Sequence, residues 1–113
     1  MTRLPGVERA RIDLRKLTGY ALDPTHPRGR HKARVFKASL GIDASDAQWL
    51  ASAILAGLPH VPATPEGADA YGVRWRTDHP LEREGRTATV RCLWLVPAAE
   101  AAPHLVTCYT LRP

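Results

Sequence analysis

A basic segment between residues 26 and 37 holds the side chains best suited to chemistry. No acidic residue lies between Asp23 and Asp43. An uncompensated cationic run creates the positive potential that a phosphate backbone meets, although such a run can also be a solvated helix face. The interval contains seven cationic or ionisable side chains, namely His26, Arg28, Arg30, His31, Lys32, Arg34 and Lys37.

Lys32 differs from the other cations of this run when helical spacing is considered. At about 100° per residue, Lys32 falls on the same arc as Phe36, one turn earlier, whereas Arg30, Arg34 and Lys37 lie together on another arc. A lysine on the core-facing side of a helix loses hydration, as catalytic lysines do. The alternative is that its long stem carries the ammonium out to solvent.

His26 lies where the same helix is expected to begin. Unpaired backbone N–H groups and the positive end of the helix dipole attract anions there. Histidine is also the side chain best suited to proton transfer near neutral pH. A lone histidine is more often structural or exposed, and we interpret the other four in that way, namely His31, His60, His79 and His104.

The last two predicted strands supply a second set of polar groups. If the loop over residues 97–103 folds back symmetrically, Arg91 lies opposite Tyr109 and Leu93 opposite Thr107. A shift of one residue would separate these partners. An ordinary exposed sheet face is the alternative to a phosphate cradle. The face would carry one guanidinium, one phenol and two hydroxyls, from Arg91, Tyr109, Thr107 and Thr89.

The remaining motifs argue against a metal or cofactor. In the same register Cys92 faces Cys108 on the apolar side, where buried free thiols behave as small hydrophobes. The acidic residues are scattered, no His/Cys spacing resembles a zinc site, and no phosphate-binding glycine loop occurs. We therefore expect an enzyme here to position phosphate with cations and to move protons with side chains.

Three predicted helices and a set of strands must position these groups. Periodicity and capping signals predict helices over residues 12–22, from near Pro27 to Gly41, and from Asp43 to about Leu58. After a proline-rich connection over residues 59–67, runs at 71–76, 87–96 and 105–111 alternate with a period of two. Helices followed by strands indicate one α+β domain, residues 1–113, with the helices on one face of an antiparallel sheet.

Composition limits the class of protein further. With 44% hydrophobic and 24% charged residues, the 113-residue chain is a globular domain, and no stretch approaches the ~18 apolar residues of a membrane span. The net charge of +5, mostly from arginine, favours a polyanionic partner or simply a basic surface. Two cysteines and no signal peptide predict a cytoplasmic protein.

The chain resembles a family of small bacterial proteins with the pattern His-Pro-x-Gly-x-x-Lys-Ala-x-x-Phe. That pattern covers residues 26–36, and the family's other features occur here as Lys16 and Tyr20, Tyr71-Gly72, Trp94 and Thr107-Cys108-Tyr109. The family is similar to the barnase, EndoU, colicin and RelE-like toxin ribonucleases. The resemblance implies N-terminal helices, a sheet of about four antiparallel strands, metal-independent RNA cleavage, and a small acidic antitoxin or immunity protein as partner.

Carried over by position, the resemblance implies five catalytic residues, His26, Lys32, Arg91, Thr107 and Tyr109. We expect His26 to take the proton of a ribose 2′-hydroxyl, Lys32 and Arg91 to stabilise the phosphoryl charge, and the strand hydroxyls to orient the phosphate. RNA is the expected substrate because its 2′-hydroxyl serves as nucleophile when no metal activates water. Substrate contacts are expected from Arg28, Arg30, Arg34, Lys37 and Thr89.

Two further expectations follow. The chain has no long N-terminal delivery region, so a stand-alone intracellular toxin is expected. The rival interpretation is a non-catalytic basic module that binds RNA or an acidic partner protein with the same face.

Overall fold

Helices come first and strands second along this chain. The computed structural model describes residues 2–99 and 102–111 and confirms the α+β class, with four antiparallel strands in the order β1-β2-β3-β4. The two α-helices are α1, Arg30–Leu40, and α2, Ala47–Gly57, and the strands are β1, Ala63–Asp69, β2, Gly72–Arg83, β3, Arg86–Pro97, and β4, His104–Thr110. Short helical turns occur at Val7–Arg9, Leu17–Ala21, Ala44–Asp46 and Leu58–His60.

The helix predicted over residues 12–22 is shorter than expected. Its regular part is a π-helical turn, Leu17–Ala21. The backbone of Arg11 instead pairs with β4, accepting a hydrogen bond from Leu105 N–H and donating one to the carbonyl of Pro103. This extended pairing beside the sheet prevents the chain from turning helical until after residue 12.

The predicted end of α1 at Gly41 and the predicted cap at Asp43 are confirmed, whereas α1 begins at Arg30 and Pro27 lies in the turn before it. Gly41 ends α1 with φ +69°, a left-handed conformation that glycine adopts without a side-chain clash. Asp43 then accepts a hydrogen bond from Ser45 N–H, and the Asp46 carboxylate accepts one from Asp43 N–H. This reciprocal capping box starts a 3₁₀ turn that leads into α2.

Strand β1 lies where the sequence predicts only a proline-rich connection. It is an edge strand with a bulge between Pro65 and Gly67, and of its seven residues only Ala63 is buried. Proline and glycine are tolerated at an edge bulge because fewer ladder hydrogen bonds are needed there. A strand with one buried residue has no period-two pattern to detect.

The predicted pairing of the last two strands is confirmed. Arg91 faces Tyr109, Cys92 faces Cys108 and Leu93 faces Thr107. Both cysteines are free and fully buried. Arg91 and Cys92 are adjacent on β3, so their side chains point to opposite faces of the sheet.

The helices cover the face of the sheet that carries Cys92 and Trp94. There, Phe36 of α1 and the α2 side chains Leu50 and Ile54 join them in one buried cluster. None of the helices within the described ranges is long and apolar enough to cross a membrane.

Candidate functional site

His26 organises the turn that leads into α1. Its Nδ1 accepts hydrogen bonds from the backbone N–H groups of Arg28 and Gly29, both at 3.0 Å. Gly29 has no side chain that can cap the helix, so the imidazole satisfies two donors at the helix start. In a neutral imidazole one nitrogen accepts and the other carries the proton. Nε2 of His26 is therefore a hydrogen-bond donor.

This geometry corrects the role predicted for His26. A general base needs an unengaged lone pair facing the substrate. The lone pair of Nδ1 is already used by two backbone donors, and moving the ring proton onto Nδ1 would break both hydrogen bonds. His26 is suited to donating from Nε2 to an anionic oxygen.

Gly29 allows the π-helical turn to lie directly against the start of α1. A Cβ atom at residue 29 would overlap the backbone carbonyl of Tyr20. The resulting close packing puts the Tyr20 ring edge-on to the His26 ring, with the centroids 4.8 Å apart and the planes at 82°. The glycine of the family-like motif thus has a structural reason to be there.

Lys32 is held by Tyr20 rather than by an acid. Its Nζ donates a hydrogen bond to Tyr20 Oη at 3.2 Å and lies 4.9 Å from the centroid of that ring and 5.9 Å from the centroid of the Tyr109 ring. Lys32 is half-buried, and no carboxylate pairs with it in the part of the chain that the structure describes. The ammonium therefore lies between two phenols with its charge uncompensated.

Strand β4 forms the other wall of the site. Thr107 borders an open hollow of about 770 Å³ together with Lys16, Tyr20 and His26. The Thr107 hydroxyl oxygen is buried and has no hydrogen-bond partner. A buried hydroxyl normally finds a partner, so this one is an unsatisfied polar group in the wall of the hollow.

Tyr109 borders a second, smaller hollow next to the first. This space of about 290 Å³ is also lined by Lys32 and Val35. His31 lines it as well, although the sequence gives that histidine no functional role. Lys32 also donates its hydrogen bond to Tyr20, which lines the first hollow.

Arg91 takes its predicted place opposite Tyr109, but its guanidinium is engaged by Asp78. Its Nε and Nη2 donate to the two carboxylate oxygens of Asp78 at 2.9 and 3.0 Å. This bidentate pair raises the pKa of Arg91, with a smaller contribution from Tyr109, and lowers the pKa of Asp78. The guanidinium of Arg91 is thus largely taken up by Asp78. Arg91 faces Tyr109 across the strands, and Tyr109 lines the smaller hollow together with Lys32.

The structure separates most of the predicted substrate contacts from this site. Arg28 is exposed beside His26. Thr89 borders a different hollow, together with Pro80 and Leu111. The cations of the other helical arc, Arg30, Arg34 and Lys37, line a fourth hollow on the opposite side of α1.

Tyr20 is the main site residue that residue spacing does not predict. It lies twelve positions before Lys32, and a proline-containing turn separates them, so no helical or strand period relates the two residues. Its only sequence signal is its place, with Lys16, in the family-like pattern. Lys16 lines the same hollow as Tyr20.

The groups around the two hollows are chiefly hydrogen-bond donors and cations. Asp13, the one carboxylate at the rim, is bound by Arg15, and this hydrogen bonding lowers the pKa of Asp13 to about 2. Within residues 2–99 and 102–111, no three His, Cys, Asp or Glu side chains are grouped so that they could hold a metal ion. An ammonium, an imidazole N–H and unpaired hydroxyls suit an anionic ligand.

Comparison with known proteins gives a family for this fold and site. No curated protein and no solved structure matches the chain. Residues 3–112 match DUF6883, a domain of unknown function. The match spans both helices, all four strands and every residue of the candidate site, and the chain therefore belongs to the DUF6883 family.

Proposed function

We propose that this protein is a metal-independent endoribonuclease that acts where α1, the π-helical turn and β4 meet. One observation carries the proposal. The Lys32 ammonium has no carboxylate partner among the described residues and is held between Tyr20 and Tyr109, and Tyr20 borders the same hollow as His26 and Thr107. Tyr20 links the two hollows, because it borders one of them and accepts the hydrogen bond of Lys32, which lines the other, and we propose that a single phosphate reaches all of these donors.

The proposed chemistry begins with phosphate binding. Lys32, His26 Nε2 and the Thr107 hydroxyl donate to the non-bridging oxygens, where negative charge builds as the 2′ oxygen attacks phosphorus. Donors that are already in place stabilise that charge without reorganisation. The imidazole is fixed by its two backbone hydrogen bonds, so its Nε2–H keeps one direction.

The two tyrosines then provide the proton transfers in the proposed mechanism. Tyr20, after losing its own proton to solvent, takes the proton of the 2′-hydroxyl, and the Lys32 ammonium 3.2 Å from Tyr20 Oη stabilises the negative charge in between. Tyr109 gives its proton to the departing 5′ oxygen, and the Arg91 guanidinium opposite it stabilises the phenolate that remains. The products are a 2′,3′-cyclic phosphate and a 5′-hydroxyl. Arg91 is thus a positioning residue rather than a direct phosphate ligand.

Cleavage of a defined RNA in EDTA tests this function. The parent protein is expected to produce 2′,3′-cyclic phosphate ends, and a substrate with 2′-deoxyribose at the cleaved position is expected to stay intact. Lys32→Ala should lower the rate by at least about 100-fold, whereas Arg3→Ala, which removes an exposed cation that lines neither hollow, should not change it. Equal cleavage by Lys32→Ala and the parent would exclude the proposal.

A non-catalytic RNA-binding module is the second candidate. The engagement of Arg91 by Asp78 and of His26 Nδ1 by the backbone favours it, because both groups are less available for catalysis than the sequence predicts. Lys32→Arg separates the two functions. It keeps the charge that a binder needs but moves the nitrogen that contacts Tyr20, so binding should persist while cleavage is lost.

The biological role that we propose is that of a toxin in a toxin–antitoxin or toxin–immunity pair. This part of the proposal depends on the resemblance to toxin ribonucleases. We place the protein in the cytoplasm, where the two buried free thiols, Cys92 and Cys108, would stay reduced.

A further inference from the structure

The hollow lined by Arg30, Arg34 and Lys37 is a groove on the side of α1 that faces away from Lys32. It has a volume of about 610 Å³ and lies between α1 and the chain segments that precede and follow this helix. Its apolar lining comes from Leu22, Pro24, Ala33, Ala38 and Ile42, and its charged lining from Arg30, Arg34, Lys37 and Asp43. We call this surface the α1 groove.

The charge of the α1 groove is positive and mostly uncompensated. Neither Arg30 nor Arg34 has a carboxylate partner within the described ranges, whereas Lys37 lies 3.6 Å from Asp43. Hydrogen bonds from Ser45, and to a smaller extent Lys37, lower the pKa of Asp43, so this single acid stays ionised. The three cations recur at positions i, i+4 and i+7, which spans about 10 Å of helix.

The apolar lining distinguishes the groove from a nucleic-acid site. Among the described residues that border it, the uncharged side chains are all aliphatic and none carries an aromatic ring. Proteins that bind single-stranded nucleic acid stack bases on aromatic side chains, and on this protein the aromatic rings Tyr20 and Tyr109 lie on the opposite side of α1. A groove with an aliphatic lining and cations along its edge is complementary to a polypeptide in which leucine, isoleucine or valine side chains are flanked by carboxylates.

We propose that the α1 groove docks an acidic amphipathic helix of a partner protein. Its carboxylates, spaced one turn apart, would meet Arg30 and Arg34, while its aliphatic side chains would lie against Pro24 and Ala38, the exposed members of the apolar lining. The proposal does not depend on the ribonuclease activity. Because Lys32 projects from the other side of α1, a partner helix bound in the α1 groove would leave open the two hollows that Tyr20 and Tyr109 border.

A designed peptide tests the charge and shape preference of the groove. The probe is a fluorescein-labelled helical peptide with leucines on one stripe and glutamates beside them, and its matched control has every glutamate replaced by glutamine. Fluorescence anisotropy at low salt should show that the parent protein binds the acidic peptide at least about tenfold more tightly than the control. Arg34→Glu should abolish that preference. Arg3→Glu, the same charge change at an exposed N-terminal residue, should keep it within about twofold.

Three results would overturn the proposal. Equal binding of the acidic and neutral peptides would mean that the rim cations do not select carboxylates. Equal loss in Arg34→Glu and Arg3→Glu would mean that only net charge matters. Weaker binding of a single-stranded RNA by Arg34→Glu, with peptide binding unchanged, would assign the groove to RNA. Circular dichroism checks that each variant is folded, and Arg34→Gln, a milder change, should give an intermediate loss. No RNA is present in the peptide measurement, so its outcome is independent of whether the protein cleaves RNA.

Discussion

The Nζ of Lys32 donates a hydrogen bond to the Oη of Tyr20 across 3.2 Å, although the two residues belong to different helical elements. The pair exists because the π-helical turn packs against the start of α1 at Gly29. An ammonium that donates to a phenol rather than to a carboxylate keeps its charge available to a ligand. It also stabilises negative charge that develops on the phenolic oxygen.

Tyr20→Phe tests the chemical role of this pair. The substitution removes Oη but keeps the ring that packs edge-on against His26. If Tyr20 takes the 2′-hydroxyl proton, RNA cleavage should fall by about 100-fold or more, while the free energy of unfolding changes by no more than about 1 kcal/mol. Tyr71→Phe is the matched control, since Tyr71 is 73% exposed. Full activity in Tyr20→Phe would remove Tyr20 from the mechanism.

His26 combines a structural role with a proposed functional one, and two substitutions separate them. His26→Ala leaves the N–H groups of Arg28 and Gly29 without an acceptor, so we expect a loss of about 1 kcal/mol in the free energy of unfolding. His26→Asn supplies a side-chain oxygen that can accept from the same groups and should restore most of that stability. Neither variant has Nε2–H, so both should bind or cleave RNA poorly. An active His26→Asn would show that His26 acts only as a cap.

The close approach at Gly29 gives a third prediction. Gly29→Ala places a Cβ atom onto the Tyr20 carbonyl, and the backbone cannot move aside without separating the π-helical turn from α1. We expect a loss of at least about 2 kcal/mol in the free energy of unfolding, measured by chemical denaturation. Gly19→Ala is the matched control, because a Cβ at residue 19 meets no atom within 4 Å. Similar stabilities of these two variants would argue against the close approach.

The parts of the fold that could be predicted from sequence are those with local signals. Gly41 and Asp43 mark helix ends by their own backbone preferences, and a symmetric loop is enough to pair Arg91 with Tyr109. Strand β1, Ala63–Asp69, lacked such a signal, because an exposed edge strand with a proline bulge shows no alternation.

The predicted site was incomplete for two different reasons. The contact of Lys32 with Tyr20 depends on tertiary packing that no period describes. The pairing of Arg91 with Asp78 did have a signal. Glu84 and Gly85, both with positive φ, form a two-residue hairpin turn, and counting outward from it places residues 78 and 91 opposite each other. Once that register is known, Arg91 cannot be expected to be an unengaged phosphate ligand.

A buried polar chain beneath the sheet gives the protein a titratable core. Trp94 Nε1–H donates to Thr77 Oγ1 at 2.9 Å, and the same oxygen lies 2.8 Å from His79 Nε2. His79 is 1% exposed, and its Nδ1 has no hydrogen-bond partner in the described structure. Burial lowers the pKa of His79 to about 4, against an opposing effect of Asp78.

The His79 shift predicts how stability depends on pH. Because the pKa is about 4 in the folded state and 6.5 in the unfolded state, the unfolded state binds the proton more readily, and the stabilisation present above pH 6.5 is lost as the pH falls toward 4. The loss between pH 7 and pH 4 should be about 3 kcal/mol in the free energy of unfolding, measured by urea denaturation. The aspartates with lowered pKa, such as Asp78, titrate at lower pH, so their contribution falls mainly below this window. His79→Gln, which can keep a hydrogen bond to Thr77, should make the free energy of unfolding less dependent on pH between 6.5 and 4, even if the variant is less stable at every pH. The control His60→Gln changes an exposed histidine and should leave the pH dependence as it is in the parent protein. A profile that is equally steep in His79→Gln would assign the pH dependence to other groups.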